Sequence, residues 1–288
     1  MPERPDLDYV LPILDRELAG RVITAVLVKK PVVLRLAVPG TPAELLVGRR
    51  IGGVARRAHF ARFRVDGADP QVDLVVAPML AGRFTLAAAG DRAPGDLAVT
   101  LTLDDGRELR YRDDVQMGKF YVVPRGDHDA IAGFADIGVD VLDPAAFTLE
   151  RFRALAKTRR DQVKVFLMDK SALDSFGNAY ADEALFEAGI HPKTFVRALG
   201  DDEVARLHRA IPEVLGRAAR TIAERKPALD EKLRDFLHVR NKHKQPCPRC
   251  GTPIRKAGVH GHDAFFCPTC QPETRKGSIV SWSKRKQP

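Results

Sequence analysis

The sequence predicts an α+β protein: an N-terminal antiparallel β-sandwich with a leading helix, a helical domain after it, and a C-terminal hairpin built around cysteines. Three observations predict it. Short β-branched runs fill the first 124 residues, helical periodicity takes over after about residue 144, and all four cysteines fall in one 24-residue stretch near the end. The expected domains are 1–124 (β-sandwich), 125–144 (linker), 145–241 (helical), 242–272 (four-cysteine finger) and 273–288 (basic tail).

From Asp6 to Leu18, apolar groups at Leu7, Val10, Leu11, Leu14 and Leu18 form a helical stripe that Gly20 ends, although Pro12 interrupts it. The runs VITAVLV, VVLRLAV, AHFARFRV, VDLVVA, LAVTLTL, ELRYR and KFYVV then read as strands, with Asp105-Gly106 as a turn. The segment PRGDHDAIAGFADIGVDVLDP has no clear period and reads as the hinge. Beyond it, AAFTLERFRALAK, QVKVFLMDKSAL, NAYADEALFEAG, DDEVARLHRAIPEVLGRAARTIAERK and LDEKLRDFLHVR read as helices, with Gly189 and Pro192 closing the third.

Cys247 and Cys250, then Cys267 and Cys270, form two C-x-x-C pairs that bring four thiolates to the corners of a tetrahedron when the intervening chain folds as a hairpin. Two disulfides are the alternative. The first thirty residues mix Glu, Asp and Arg into apolar positions, so they carry no secretory signal, and a reducing compartment favours one structural zinc. A closed four-sulfur shell holds a fold and leaves no position for catalysis. The longest apolar runs are too short to span a bilayer, so no membrane partner is expected. The formal charge is +9, and from Asn241 onward ten Lys and Arg face only Asp263 and Glu273. A basic end of this kind fits a polyanion such as nucleic acid, or serves as a solubilising tail.

The stretch QVKVFLMDKSALDSFGNAYADEALFEAGIHP resembles the helix-two-turn-helix segment of the formamidopyrimidine-DNA glycosylase and endonuclease VIII family. Members of that family also begin with Pro-Glu after Met and commonly end in a four-cysteine finger. Here the opening MPE and the two C-x-x-C pairs stand in the same order, and the resemblance runs to about Gln271.

The resemblance implies a bifunctional DNA glycosylase and AP lyase acting in base excision repair on DNA with damaged bases or abasic sites, working as a monomer in the cytoplasm on nucleoid DNA. Removal of Met1 would expose the secondary amine of Pro2 as the nucleophile. Glu3 would be the acid/base group, and Asp6 stands where relatives carry Glu. Lys164 and Asn178 match phosphate-gripping residues, with Gly177 allowing close backbone approach to DNA. A solvated helix face is the competing reading for Lys164, and a helix N-cap for Asn178.

Four departures from the family bear on substrate. His59 replaces a phosphate-binding Lys, and His262 or its neighbour replaces a finger Arg. Gln116 and Met117 replace the Arg and Phe that read the orphaned base, and Leu80 replaces a void-filling Met beside Met79. The competing reading is a lesion- or structure-specific DNA-binding protein with weak or no catalysis; a zinc-ribbon RNA-binding protein would have no use for Pro2-Glu3. Trp282 either stacks on a base or packs on its own domain.

Overall fold

The computed structural model describes residues 2–67, 70–129, 131–174 and 176–273; Trp282 and the tail after 273 lie outside them. Two compact units are present: the first runs to Gly138 and includes Leu215–Leu233, and the second comprises Val139–Val214 and the chain from Arg234 on.

Helix α1 (Arg4–Leu18) buries its stripe of Leu7, Val10, Leu11, Leu14 and Leu18. Its N-terminus is capped when the Asp6 carboxylate accepts the Glu3 N–H at 2.7 Å. Pro12 sits inside the helix but on its exposed face, where solvent can take up the carbonyl that the ring leaves without a donor. Asp15 of the same helix accepts the Val54 N–H at 2.7 Å and so fixes α1 against the sheet.

The sandwich has a four-stranded sheet, β1 (Ile23–Val28), β7 (Leu97–Leu103), β8 (Arg107–Arg112) and β6 (Arg83–Ala88). Its five-stranded partner is ordered β2 (Leu34–Leu36), β9 (Lys119–Pro124), β5 (Val72–Ala77), β4 (Phe60–Asp66) and β3 (Arg50–Arg57). A short helix α2 (Pro42–Leu46) joins β2 to β3 and is closed by a Thr41–Glu44 capping box. The β2–β9 pair is parallel, so the sheet is not antiparallel throughout. Phe63, Phe84, Tyr111 and Phe120 form a chain of rings through the core, with centroids 5.6 to 6.1 Å apart.

Strand β5 is buried along its whole length, against the alternation of a half-exposed strand. Its one charge, Asp73, is matched by Arg62 at 2.6 Å, His128 at 3.0 Å and Arg125 at 3.3 Å. The expected linker therefore does not hang free over its first half. Arg125 and His128 bind Asp73, and Ile131 and Phe134 pack with Phe60, Val75, Ala77 and Val123.

The helices that follow are α3 (Leu149–Lys157), α4 (Val163–Met168), α5 (Asn178–Ala188) and α6 (Asp201–Arg225). Thr148 caps α3 by accepting the Arg151 N–H. Gly189, at φ 70°, ends α5 in the left-handed conformation that glycine adopts without strain. Strands β10 (Arg255–Val259) and β11 (His262–Phe266) form the cysteine-rich hairpin.

One expected helix is absent: residues 229–240 are irregular. The apolar spacing there is real but serves two cores, since Leu229 packs on the sandwich core while Val239 is buried with Phe186 and the cysteines. The backbone N–H groups of His238, Val239 and Arg240 go to the buried carboxylate of Glu183, at 2.8, 2.9 and 2.9 Å, and are therefore not free to build a helix. Replacing Glu183 with Gln removes the charge and sets an amide NH₂ against donors. We expect a loss of about 2–4 kcal/mol and faster amide hydrogen exchange at residues 238–240; unchanged exchange there would contradict this anchor.

Candidate active site and metal centre

Pro2, Glu3 and Asp6 come together because α1 begins at Arg4 and its cap folds the preceding residues over the first turn. All three are buried. Pro2 and Asp6 line a recess whose apolar wall includes Val10, Phe84, Ile222 and Leu229. The far wall is the irregular segment 227–233. It is pinned by the Tyr9 hydroxyl, which donates to the Pro227 carbonyl at 3.0 Å, and by Arg112, 2.6 Å from Asp230. Arg83 also faces the recess and pairs with Asp96. Burial alone would raise the Asp96 carboxyl, but Arg112 and Arg83 overcome it and hold the group below the usual carboxylate range. Sequence reasoning misses Tyr9, Arg83 and Asp230, because no local pattern distinguishes them from ordinary surface residues. The resemblance implies a catalytic Asp6, yet one of its oxygens is committed to the α1 cap.

Leu80, Gln116 and Met117 project from two loops of the sandwich, at the β5–β6 and β8–β9 connections. Leu80 is 53% exposed, Met117 43%, and Val115 beside them 50%. Gln116 and Met79 both sit at positive φ, 58° and 49°. The β8–β9 loop is shaped by Asp113, which is fully buried and accepts N–H groups from Val115, Gln116 and Gly118 at 3.2, 2.9 and 2.7 Å. Both loops rest on Tyr111. A Cβ at Gly82 or at Gly118 would collide with its hydroxyl, which finds no hydrogen-bond partner among the described residues. Burial, reinforced by the Asp113 charge, pushes this phenol upward, so it stays un-ionised. The aspartate is legible in the sequence as a turn former; the tyrosine is not.

The four cysteines are free thiols, so the disulfide alternative is not realised. Their Sγ atoms lie within 4.8 Å of one another. Three of the separations are 3.9 Å (Cys247–Cys270), 3.4 Å (Cys250–Cys267) and 3.5 Å (Cys250–Cys270). A tetrahedral zinc with Zn–S bonds of about 2.3 Å requires sulfur–sulfur edges of about 3.8 Å. Burial and the neighbouring sulfurs push the Cys270 thiol up to about 12, so it ionises at neutral pH only where a cation accepts it. The site fits one structural zinc held by Cys247, Cys250, Cys267 and Cys270. Gln271, fully buried, fastens it to the segment just after α5: it accepts the Cys267 N–H at 3.0 Å and donates to the Ile190 carbonyl at 2.8 Å. Arg249 adds bonds to the Phe186 carbonyl and the Glu187 carboxylate.

The remaining expected site residues are scattered. His59 occupies the turn between β3 and β4, against the Phe60 ring. His262 is exposed at the start of β11, after a turn in which His260 and Gly261 have positive φ. Asn178 is the first residue of α5 and not its cap, and its side-chain oxygen is buried with no donor among the described residues. Gly177 has an extended backbone, φ −120°, which any residue adopts. Lys164 is neither exposed nor solvated: its ammonium is buried against Asp182 and the Asp263 carbonyl. Burial pushes the Asp182 carboxyl upward while Lys164 and Arg240 pull it back.

Gly118→Ala should destabilise the sandwich by roughly 1–3 kcal/mol through overpacking against Tyr111, and Tyr111→Phe should recover part of that loss in the double variant. Denaturant titration of the four proteins tests this; additive effects would mean that the two residues do not meet.

Comparison with known proteins brings these features together. The family profile of the formamidopyrimidine-DNA glycosylase N-terminal domain matches residues 1–120, that of the H2TH domain residues 137–226, and that of the zinc finger found in FPG and IleRS residues 244–272. The formamidopyrimidine-DNA glycosylase of Symbiobacterium thermophilum is 34% identical over 278 residues, covering 94% of this chain and 90% of the relative. That of Pelotomaculum thermopropionicum is 32% identical, covering 94% and 99%. The crystal structure of MutM (Fpg) from Thermus thermophilus superposes with a TM-score of 0.80 at 31% identity, covering 95% of this chain and all of that one. A complex of Lactococcus lactis Fpg with DNA containing an oxidized pyrimidine superposes at 0.84 and 25%, covering 94% and 100%. The recess at the head of α1, the helical unit and the four-cysteine hairpin thus stand in a chain that belongs to the formamidopyrimidine-DNA glycosylase family.

Proposed function

We propose that this chain is a bifunctional DNA glycosylase and AP lyase whose nucleophile is the ring nitrogen of Pro2, freed by removal of Met1. The observation that carries the reading is the placement of Pro2 and Asp6 on the wall of one recess, with Glu3 buried beside them. An α-amino group titrates near pH ~7.7 to 8, so a useful fraction is nucleophilic at neutral pH. The nitrogen attacks C1′ of the damaged nucleotide, the C1′–base bond breaks, and the electron pair leaves on the base, which takes up a proton. Glu3 serves as the acid/base group in that exchange. Loss of the amine proton leaves a neutral aminal, whose nitrogen lone pair expels the ring oxygen: the C1′–O4′ bond breaks, O4′ takes up a proton, and the resulting iminium accepts the electrons released when a C2′ proton is removed. The 3′ phosphate then departs by β-elimination, with δ-elimination as a further step, and water returns Pro2 to the free amine. Asp6 has the more modest task of holding Glu3 and the helix start in place.

The damaged nucleotide must leave the stack, which costs a few kcal/mol. We assign filling of the resulting gap to Leu80, Gln116 and Met117, and phosphate or backbone contacts to His59, Gly177, Asn178 and His262. Asn178 stands at the head of an 11-residue helix, whose first-turn N–H groups are donors suited to a phosphate, and this supports its share of that role. Replacement of the expected Arg and Phe by Gln116 and Met117 changes the reading of the opposite base and leaves the Pro2 chemistry intact. The substrate preference accordingly departs from 8-oxoguanine opposite cytosine.

Borohydride reduction should trap wild-type protein covalently on an abasic-site duplex, and a Pro2→Gly variant with its amine blocked should not be trapped. Wild type failing on every abasic substrate would leave a lesion-binding protein without catalysis. Cys267→Ser should release zinc and reduce duplex affinity at least tenfold while the sandwich stays folded, as judged by metal analysis, gel shift and circular dichroism. Full affinity in the metal-free variant would remove the hairpin from the interface.

A further inference from the structure

The charge cluster around Asp182 is not used by the chemistry above. Lys164, on α4, and Asp182, on α5, both have side chains that are 0% exposed and form an ion pair. The second cation is Arg240, whose Nη1 donates to the other Asp182 oxygen at 2.9 Å. Both cations then converge on one atom of the hairpin: Lys164 Nζ donates to the Asp263 main-chain carbonyl at 2.7 Å, and Arg240 Nη1 to the same oxygen at 3.1 Å. Arg240 also lies 5.1 Å over the Phe265 ring. The Asp263 side chain takes no part in this, since it turns outward to Lys256 at 2.9 Å.

A carbonyl that receives two charged donors is held far more firmly than one in an ordinary hairpin ladder. Asp263 follows His262 directly and lies two residues beyond the turn at Gly261. We infer that Lys164 and Arg240 are positioning residues that clamp the Asp263 carbonyl and thereby set the height and register of the β10–β11 turn. Asp182 is the countercharge that allows two cations to sit inside. Lys164 thus acts through the hairpin and does not grip phosphate itself. The inference rests on the reading that this hairpin meets DNA, although the clamp itself is a property of the folded chain.

The test uses the zinc-loaded full chain. Removing Lys164 or Asp182 alone leaves a buried charge without its match and can unfold the region. The informative variant is therefore Lys164→Met combined with Asp182→Asn, which neutralises the pair and keeps an acceptor for Arg240. Two readouts are taken at equal zinc content and equal thermal stability. One is amide exchange across residues 260–264. The other is affinity for a duplex carrying a tetrahydrofuran abasic-site analogue. We expect exchange at the turn to quicken at least tenfold and affinity to fall by about the same factor. Unchanged exchange would overturn the clamp, and quickened exchange with unchanged affinity would overturn its positioning role. If wild type itself shows no affinity for the duplex, the DNA reading fails, while the exchange data still decide the clamp.

Discussion

A carboxylate taken out of water must be surrounded by donors, and this chain repeatedly uses that requirement to shape backbone that hydrophobic burial alone would leave undetermined. Glu183 shows it most directly. Three consecutive N–H groups of a segment with helix-like sequence converge on its two oxygens, and the segment is irregular as a result. Its neighbour Asp182 faces the other way and collects cations. Two adjacent acids on one buried helix thus fix a loop and a hairpin at once.

The sandwich repeats the device with different partners. Asp113 gathers three N–H groups and defines the loop that carries Gln116 and Met117. Asp73, in a strand buried on both faces, gathers Arg62, Arg125 and His128 and brings the start of the interdomain connection down onto the sheet. Asp6 closes the first turn of α1 and so decides where Pro2 and Glu3 lie. In each case a single acid does what a stretch of regular structure does elsewhere.

Much of this is legible in the sequence, for physical reasons that differ by element. The α1 stripe, the four later helices up to α6 and the cysteine spacing are periodic signals, and periodicity survives without knowledge of the partner surface. Strand β3 is hidden because RIGGVARR combines two glycines with three arginines, and β6 because RFTLAA trails into alanines. The parallel β2–β9 pair depends on a long-range return that no local run records. The expected helix at 229–240 fails because its decisive partner, Glu183, lies about fifty residues earlier in the chain. At the site, Pro2, Glu3 and the four cysteines stand out by position and spacing. The burial of Lys164 is invisible in the sequence, because an amphipathic pattern cannot show that a buried acid waits for a lysine.

The hydroxyl of Tyr111, wedged between Gly82 and Gly118, divides the two exposed loops into parts with unequal freedom to vary. Their roots cannot accept a side chain without displacing a ring that belongs to the core, whereas Leu80, Gln116 and Met117 at the tips are exposed. Combinatorial diversification confined to those three positions would alter the surface that the loops offer while the foundation stays unchanged, so if the proposed gap-filling role holds, these loops are where recognition can be reprogrammed.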